Sequence, residues 1–123
     1  MISRRTVLGA VALAGSVSGQ GRVGSMYGLI GKMKAVAGKR DELAQILLSG
    51  IGEMPGNLSY IVANDPKDWD ALWITEVWAS EADHKASLAL PSVKAAIAKG
   101  RPLIAGFDVS YVTEPLGGHG LSK

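Results

Sequence analysis

Glu76, Trp78 and His84 place a carboxylate, an indole and an imidazole within one short stretch of a 123-residue chain. A carboxylate or an imidazole with a pKa near neutrality is suited to take a proton from an acidic hydroxyl. An indole beside it adds a flat apolar face. Tyr27, Tyr60, Phe107 and Tyr111 are further aromatic residues expected to line a common pocket, with Asn64 and Arg101 as further polar candidates. This mixture suits a flat, partly oxygenated organic molecule, because rings supply contact area and one or two polar groups fix orientation. The plainer reading makes Trp78 a packing residue, gives Glu76 a hydrogen bond at a sheet edge, and leaves His84 solvated or structural in the first turns of a helix. Spacing alone does not separate the two readings.

Other chemistries lack their residues. There is no H-E-x-x-H, no G-x-S-x-G, no P-loop and no G-x-G-x-x-G after a strand. Gly117-Gly118-His119-Gly120 precedes no helix and so makes no phosphate cradle. His84 and His119 do not have metal-ligand spacing, so no metal is expected. No carboxylates pair on facing strands as glycoside hydrolysis requires. The chain has no cysteine, which excludes disulfides, thiolate nucleophiles and cysteine-ligated metals. The net charge of +2 comes from the N-terminal segment: Arg4, Arg5 and Arg22 precede Met26, and without them ten basic side chains face eleven acidic ones, a net of −1. No basic run is interleaved with aromatics, so nucleic acid is not an expected partner.

The elements that must position these residues follow from hydrophobic period. Residues 26–36 alternate as a strand, with Tyr27, Leu29, Met33 and Ala35 on one face. A helix over 39–49 carries Leu43, Ile46 and Leu47 at helical spacing. Residues 58–64 and 72–78 read as a hairpin. In the second of these strands Leu72, Ile74, Glu76 and Trp78 share a face, and the run is apolar enough to predict cover on both faces. Ser80-x-x-Asp83 predicts a capped helix start, Pro91 a second helical piece and Pro102 its end. Residues 107–113 are the last strand, with Phe107, Val109, Tyr111 and Thr113 on one face.

The order strand, helix, strand, strand, helix, strand predicts an α+β fold of the ferredoxin-like βαββαβ kind, a four-stranded antiparallel sheet with helices on one face. At 47% hydrophobic and 20% charged residues the composition is that of one globular domain. The other sheet face is also apolar, and a soluble monomer seldom exposes so large a patch, so a homodimer is expected.

Three segments are expected: a leader over 1–25, the domain over 26–114 and a Gly-rich tail over 115–123. Ser3-Arg4-Arg5-Thr6-Val7-Leu8 resembles a twin-arginine export signal, followed by a mild apolar run and small residues, with Ala14 and Ser18 as alternative cleavage points. The apolar run is too short to span a membrane, so no stable insertion is expected. Export to the periplasm or beyond is the expectation; with translation starting at Met26 the protein stays cytoplasmic. The tail is either a mobile terminus or a segment that crosses to a partner or covers the pocket with His119.

A-G-K-R-D-E-L at 37–43, P-G-N-L-S-Y at 55–60, T-E-V-W at 75–78 and G-G-H-G-L at 117–121 occur in an order and spacing that resembles the antibiotic biosynthesis monooxygenase superfamily, including its quinol monooxygenase-like members. The resemblance covers about residues 27–121. It implies a dimeric α+β barrel and a cofactor-independent monooxygenase that deprotonates a quinol, polyphenol or similar small aromatic, whose anion then reacts with dioxygen. It makes Trp78 a functional position and places His84 towards the same pocket as the base, with Tyr60 in the cradle. The chain departs from the pattern at Ser87, where many quinol monooxygenase-like members have histidine, and at Ile74, where related members have asparagine. Its first strand also lacks the asparagine of haem-degrading relatives. The alternative is a non-catalytic dimeric module of the same fold that binds a small molecule.

Overall fold

β1 (Tyr27–Ala35) and β3 (Ala71–Trp78) run antiparallel through the middle of a four-stranded sheet of order β2-β3-β1-β4. β2 (Asn57–Asn64) and β4 (Ile104–Thr113) are its edges, both antiparallel to their neighbours. The computed structural model describes residues 25–121, so the leader expected over 1–25 lies outside the described residues except for Ser25. Between the strands come α1 (Arg40–Ser49), α2 (Glu81–Ser87), α3 (Pro91–Gly100) and a 3-10 turn, Arg101–Leu103. This is the ferredoxin-like arrangement expected from the sequence, with the helices on one face.

Strand alternation builds the core. The odd-numbered residues of β1 and the even-numbered residues of β3 point to the helices, where Met33, Ala35, Leu72 and Ile74 meet Leu43 and Leu47 of α1 and Ile104 of β4. Each fully buried side chain of this size stabilises the fold by roughly 1.5–3 kcal/mol. A second cluster, Tyr27, Leu29 and Trp78 with Met54 and Val112, fills the other end of the same face. The helices start and stop as their local chemistry dictates. Ser80 Oγ accepts the Asp83 N–H at 3.1 Å, which occupies an otherwise unbonded donor at the start of α2. Pro91 opens α3, where its missing N–H costs nothing. Gly50 ends α1 beside α3, so close that a Cβ there would lie 2.6 Å from Ala96 Cβ.

One expectation is corrected. β4 begins at Ile104, not Phe107, and carries two irregularities in its pairing with β1. Lys32 pairs with Val109 but Met33 pairs with Phe107, leaving Asp108 as an extra residue. Such a bulge reverses the alternation beyond it. Phe107 therefore packs on the helix-side core, while Tyr111 points from the opposite face, 62% exposed. The cover expected on both faces of β3 is supplied by the chain itself on one face alone. In the single chain only its helix side is buried; Trp73, Thr75 and Val77 are half-buried on an open face that also carries Ile30 and the exposed Ile61. Charges rim that face. Lys32 Nζ lies 3.6 Å from both Asp65 and Asp108, Trp73 Nε1 donates to Asp65 Oδ2 at 2.8 Å, and Lys34 pairs with Asp68.

Candidate functional site

At the Trp78 end of the sheet, β3, the end of α1 and the two helices after β3 enclose a narrow cavity of about 40 Å³ that opens to solvent. Each element contributes for a local reason. β3 points Glu76 and Trp78 to the same side because they are two residues apart. Tyr60 joins them because it pairs with Glu76 across the hairpin. α2, fixed at its start by Ser80, presents His84 and, nearly one turn on, Ser87. Leu47, Ile51, Met54, Leu88 and Val93 form the apolar wall. The close approach of Gly50 and Ala96 shapes the end of the cavity between α1 and α3.

The polar groups are few and strongly desolvated. Trp78 Nε1 donates to Glu76 Oε1 at 2.9 Å, a buried bond that fixes the carboxylate. Burial pushes the Glu76 carboxyl up to about 7, against the stabilising pull of that indole N–H. Burial, and then the nearby Lys85 charge, pulls the His84 imidazole down to about 4, so it is neutral at physiological pH. The Tyr60 phenol is raised far above its ordinary value, chiefly by burial and secondly by Glu76. The His84 ring sits between two aromatics: Trp78 meets it edge-on with centroids 5.3 Å apart, and Tyr27 packs on it at 5.5 Å with a 34° tilt. The Ser87 hydroxyl donates to the His84 carbonyl at 2.6 Å.

The structure brings four of the expected site residues to one cavity: Glu76, Trp78, His84 and Tyr60. Tyr27 touches His84 but does not line the cavity. Asn64 lies instead in a shallow depression between α1 and β2, with Gln45 and Leu48. Arg101 stands in the 3-10 turn after α3 and is not part of the cavity lining, and Tyr111 is on the far face of the sheet. Sequence reasoning passed over the contribution of α1 and the segment after it, Leu47 to Met54. The readable signal was Gly50 directly after the helix, which marks a place where backbone approaches another element closely. Among the described residues, no group of three or more metal-ligating side chains is placed to hold a metal ion, and no helix is long and apolar enough to cross a membrane.

An apolar cavity with one fixed carboxylate near neutrality and one neutral imidazole can bind a small organic molecule, take a proton from it and hold the resulting anion away from water. Comparison with known proteins identifies the family. The profile of the family described as antibiotic biosynthesis monooxygenase matches residues 26–99. The crystal structure of a "putative antibiotic biosynthesis monooxygenase" from Chloroflexus aurantiacus is 64% identical, covering 80% of this chain and all of that one, with a TM-score of 0.78. A protein of the same description from Caulobacter crescentus, 23% identical over 76% of this chain and 92% of that one, superposes with a TM-score of 0.69. A Pseudomonas aeruginosa protein whose structure carries no functional description, 17% identical over 79% of this chain and all of that one, gives a TM-score of 0.67. These last two share the fold. No curated protein matches the chain.

Proposed function

The chain belongs to the antibiotic biosynthesis monooxygenase family, and from that premise we propose that its cavity oxidises a small phenol or quinol with dioxygen, with Glu76 as the base. The observation that carries this reading is the buried Glu76 carboxyl, held near 7 in an aromatic and apolar cavity. A phenolic hydroxyl has a pKa of about 10, so its proton passes to Glu76 at a cost of about 3 pKa units, or about 4 kcal/mol. Passing it to His84, at about 4, costs about 6 units or about 8 kcal/mol. Transfer to the carboxylate also conserves the number of buried charges, whereas transfer to the imidazole creates a buried ion pair. Glu76 therefore takes the role first expected of His84, and His84 and Tyr60 orient the ring against Trp78.

The stoichiometry needs no added reductant or cofactor. A hydroquinone and dioxygen give a hydroxyquinone and water: one oxygen atom enters the ring, the other leaves as water, and the substrate supplies all four electrons. Oxygen uptake by the full chain, metal-free and without flavin, tests the proposal against a panel of hydroquinones. Uptake above autoxidation that falls at least roughly a hundredfold in Glu76→Gln supports it, since a general base contributes about that much or more. Uptake equal to autoxidation, with the same compounds bound tightly, favours the second reading, a binding module; the largely apolar wall is the feature that supports that one.

Two further parts belong to the same proposal. A second copy covers the open sheet face, joining the two sheets as a homodimer. The twin-arginine-like leader directs export, which a cell-fractionation experiment on the full chain and an Arg4→Lys/Arg5→Lys variant checks.

A further inference from the structure

A cavity of about 40 Å³ has room for about three water molecules, since one needs roughly 10–15 Å³. A benzene ring takes a cavity of about 150 Å³. The walls have to part before a ring enters, and they are not equally free to move. The floor is fixed, because Tyr60 and Glu76 pair across two hydrogen-bonded strands. α2 and α3 are joined without a break in backbone bonding. The N–H groups of Leu88, Ala89 and Leu90 donate to the carbonyls of Lys85, Ala86 and Ser87 at 3.0–3.2 Å, and Lys94 donates to Leu90 at 2.9 Å. The segment after α1 is different. Its near end is held by Gly50, whose N–H donates to the Ile46 and Leu47 carbonyls at 3.1 and 3.3 Å. Its far end is held where the Met54 carbonyl accepts the Asn57 N–H at 3.0 Å and the Gly56 carbonyl accepts the Ala79 N–H at 2.8 Å. Between these anchors the N–H groups of Gly52, Glu53 and Met54 make no hydrogen bond among the described residues. Gly52 and Glu53 are exposed, and a Cβ on Gly52 would meet nothing within 4 Å. Yet Ile51 and Met54 line the cavity, and Met54 packs on the cluster of Tyr27, Leu29 and Trp78.

We propose that residues 51–54 form a gate, closed in this structure, which swings away from Trp78 to admit a ring-sized ligand and closes over it afterwards. The kind of ligand rests on the phenol-oxidising reading given above; the movement of the segment does not. Gly50 and Gly56 sit at the two anchors, and the free span between them breaks no backbone hydrogen bond when it moves. Met54 is suited to the moving face. Its unbranched side chain has three rotatable bonds, so it fills the gap beside Trp78 when the gate is shut and repacks around a ligand when it is not. What opening costs is the contact of Ile51 and Met54 with the cavity wall, and what closing achieves is the exclusion of water from Glu76 while a ligand is held. Every ligand waits for the same opening, so the gate sets one upper limit to the rate of entry.

Hydrogen exchange at the Trp78 indole N–H of the full chain tests the gate without any ligand. That proton is buried in the cavity wall on Glu76 Oε1, and opening of the gate brings it to solvent. It should be protected at least roughly tenfold less than the slowest amides of β1, and low urea should leave its rate unchanged, since a local opening exposes little surface. Gly52→Ala, whose methyl meets nothing in the closed form, should slow the exchange about two- to fivefold by removing open conformations. Met54→Ala should speed it. Protection equal to that of the β1 amides, with the same response to urea, overturns the gate, as does a rate that neither substitution moves. The unmodified protein alone answers the first point if a variant fails to fold. Anaerobic stopped-flow mixing with hydroquinone and with phenol adds the ligand. Both binding rates should level off at one common limit as concentration rises, and Gly52→Ala should lower that limit. Two different limits, or a limit that Gly52→Ala leaves in place, overturn the gate as the route of entry. Binding of neither compound overturns the phenol reading alone, because the exchange result stands without it.

Discussion

Glu76 holds its proton because the fold removes water from it without giving it a cation. Its pKa is raised in the folded chain, so the folded state binds the proton more tightly than the unfolded one. The stability this provides is complete below about 4.5 and is lost as pH rises to about 7, a loss of up to about 3 kcal/mol. Glu76→Gln should therefore raise the melting temperature at pH 8 and leave it nearly unchanged at pH 4, while oxygen uptake is lost. A melting temperature that falls at pH 8 would show the carboxylate to be stabilising there. His84 works in the opposite direction: its lowered pKa gives stability that is present above about 6.5 and lost as pH falls through about 4. The side chains of the Glu76, Trp78 and His84 group were legible from strand alternation and a helix cap. Their protonation was not, because desolvation depends on Tyr60, Met54 and α3, residues remote in sequence that only the fold brings near.

At the scale of elements, the strands and helices were readable wherever period and capping agreed, as for α1, the hairpin and the Ser80 start of α2. β4 was misread because a bulge leaves no fixed mark in sequence. Phe107, Val109 and Tyr111 alternate perfectly on paper, and only the register against Lys32 and Met33 shows Asp108 to be extra. The placement of Tyr111 among the pocket residues failed for that reason. The facing of Arg101 was not legible, because the Gly-Arg-Pro break destroys helical phase; the residue stands in the 3-10 turn. The contact of α1 with α3 is the element-level feature that shapes the cavity. Gly50→Ala should destabilise the protein by about 1–3 kcal/mol through overpacking against Ala96. Adding Ala96→Gly should recover part of that loss despite the roughly 1 kcal/mol helix cost of glycine. Urea unfolding of the two single variants and the double variant measures the coupling, and strict additivity would mean the two sites do not touch.

For the whole molecule, the open sheet face is the feature that a single chain leaves unbalanced. Ile61 and Tyr111 are exposed on it, and Lys32, Asp65, Lys34 and Asp68 form a charged border. Asp65 is held at about 2 by the Lys67 backbone N–H, then by the Trp73 indole, so it keeps its charge through any ordinary pH. Light scattering at micromolar concentration should give twice the mass of one chain. Ile61→Lys should shift that mass towards the monomer without altering the helical signal in circular dichroism. An unmodified protein of single-chain mass would sink the dimer. The sequence carried this expectation in its two-sided apolar strands.

The three tryptophans have three different surroundings. Trp69 is 83% exposed, Trp73 stands half-buried on the open face, and Trp78 is sealed against Glu76 and His84. An indole's emission moves to the blue as water leaves it, so the protein carries three separable optical probes. With Trp69→Phe and Trp73→Phe in place, the remaining fluorescence reads the ligand cavity directly. With Trp69→Phe and Trp78→Phe, what remains reads the open sheet face, which the proposed second copy would cover. One molecule thus allows the filling of its site and the covering of its surface to be timed independently, in the same cuvette and without an added label.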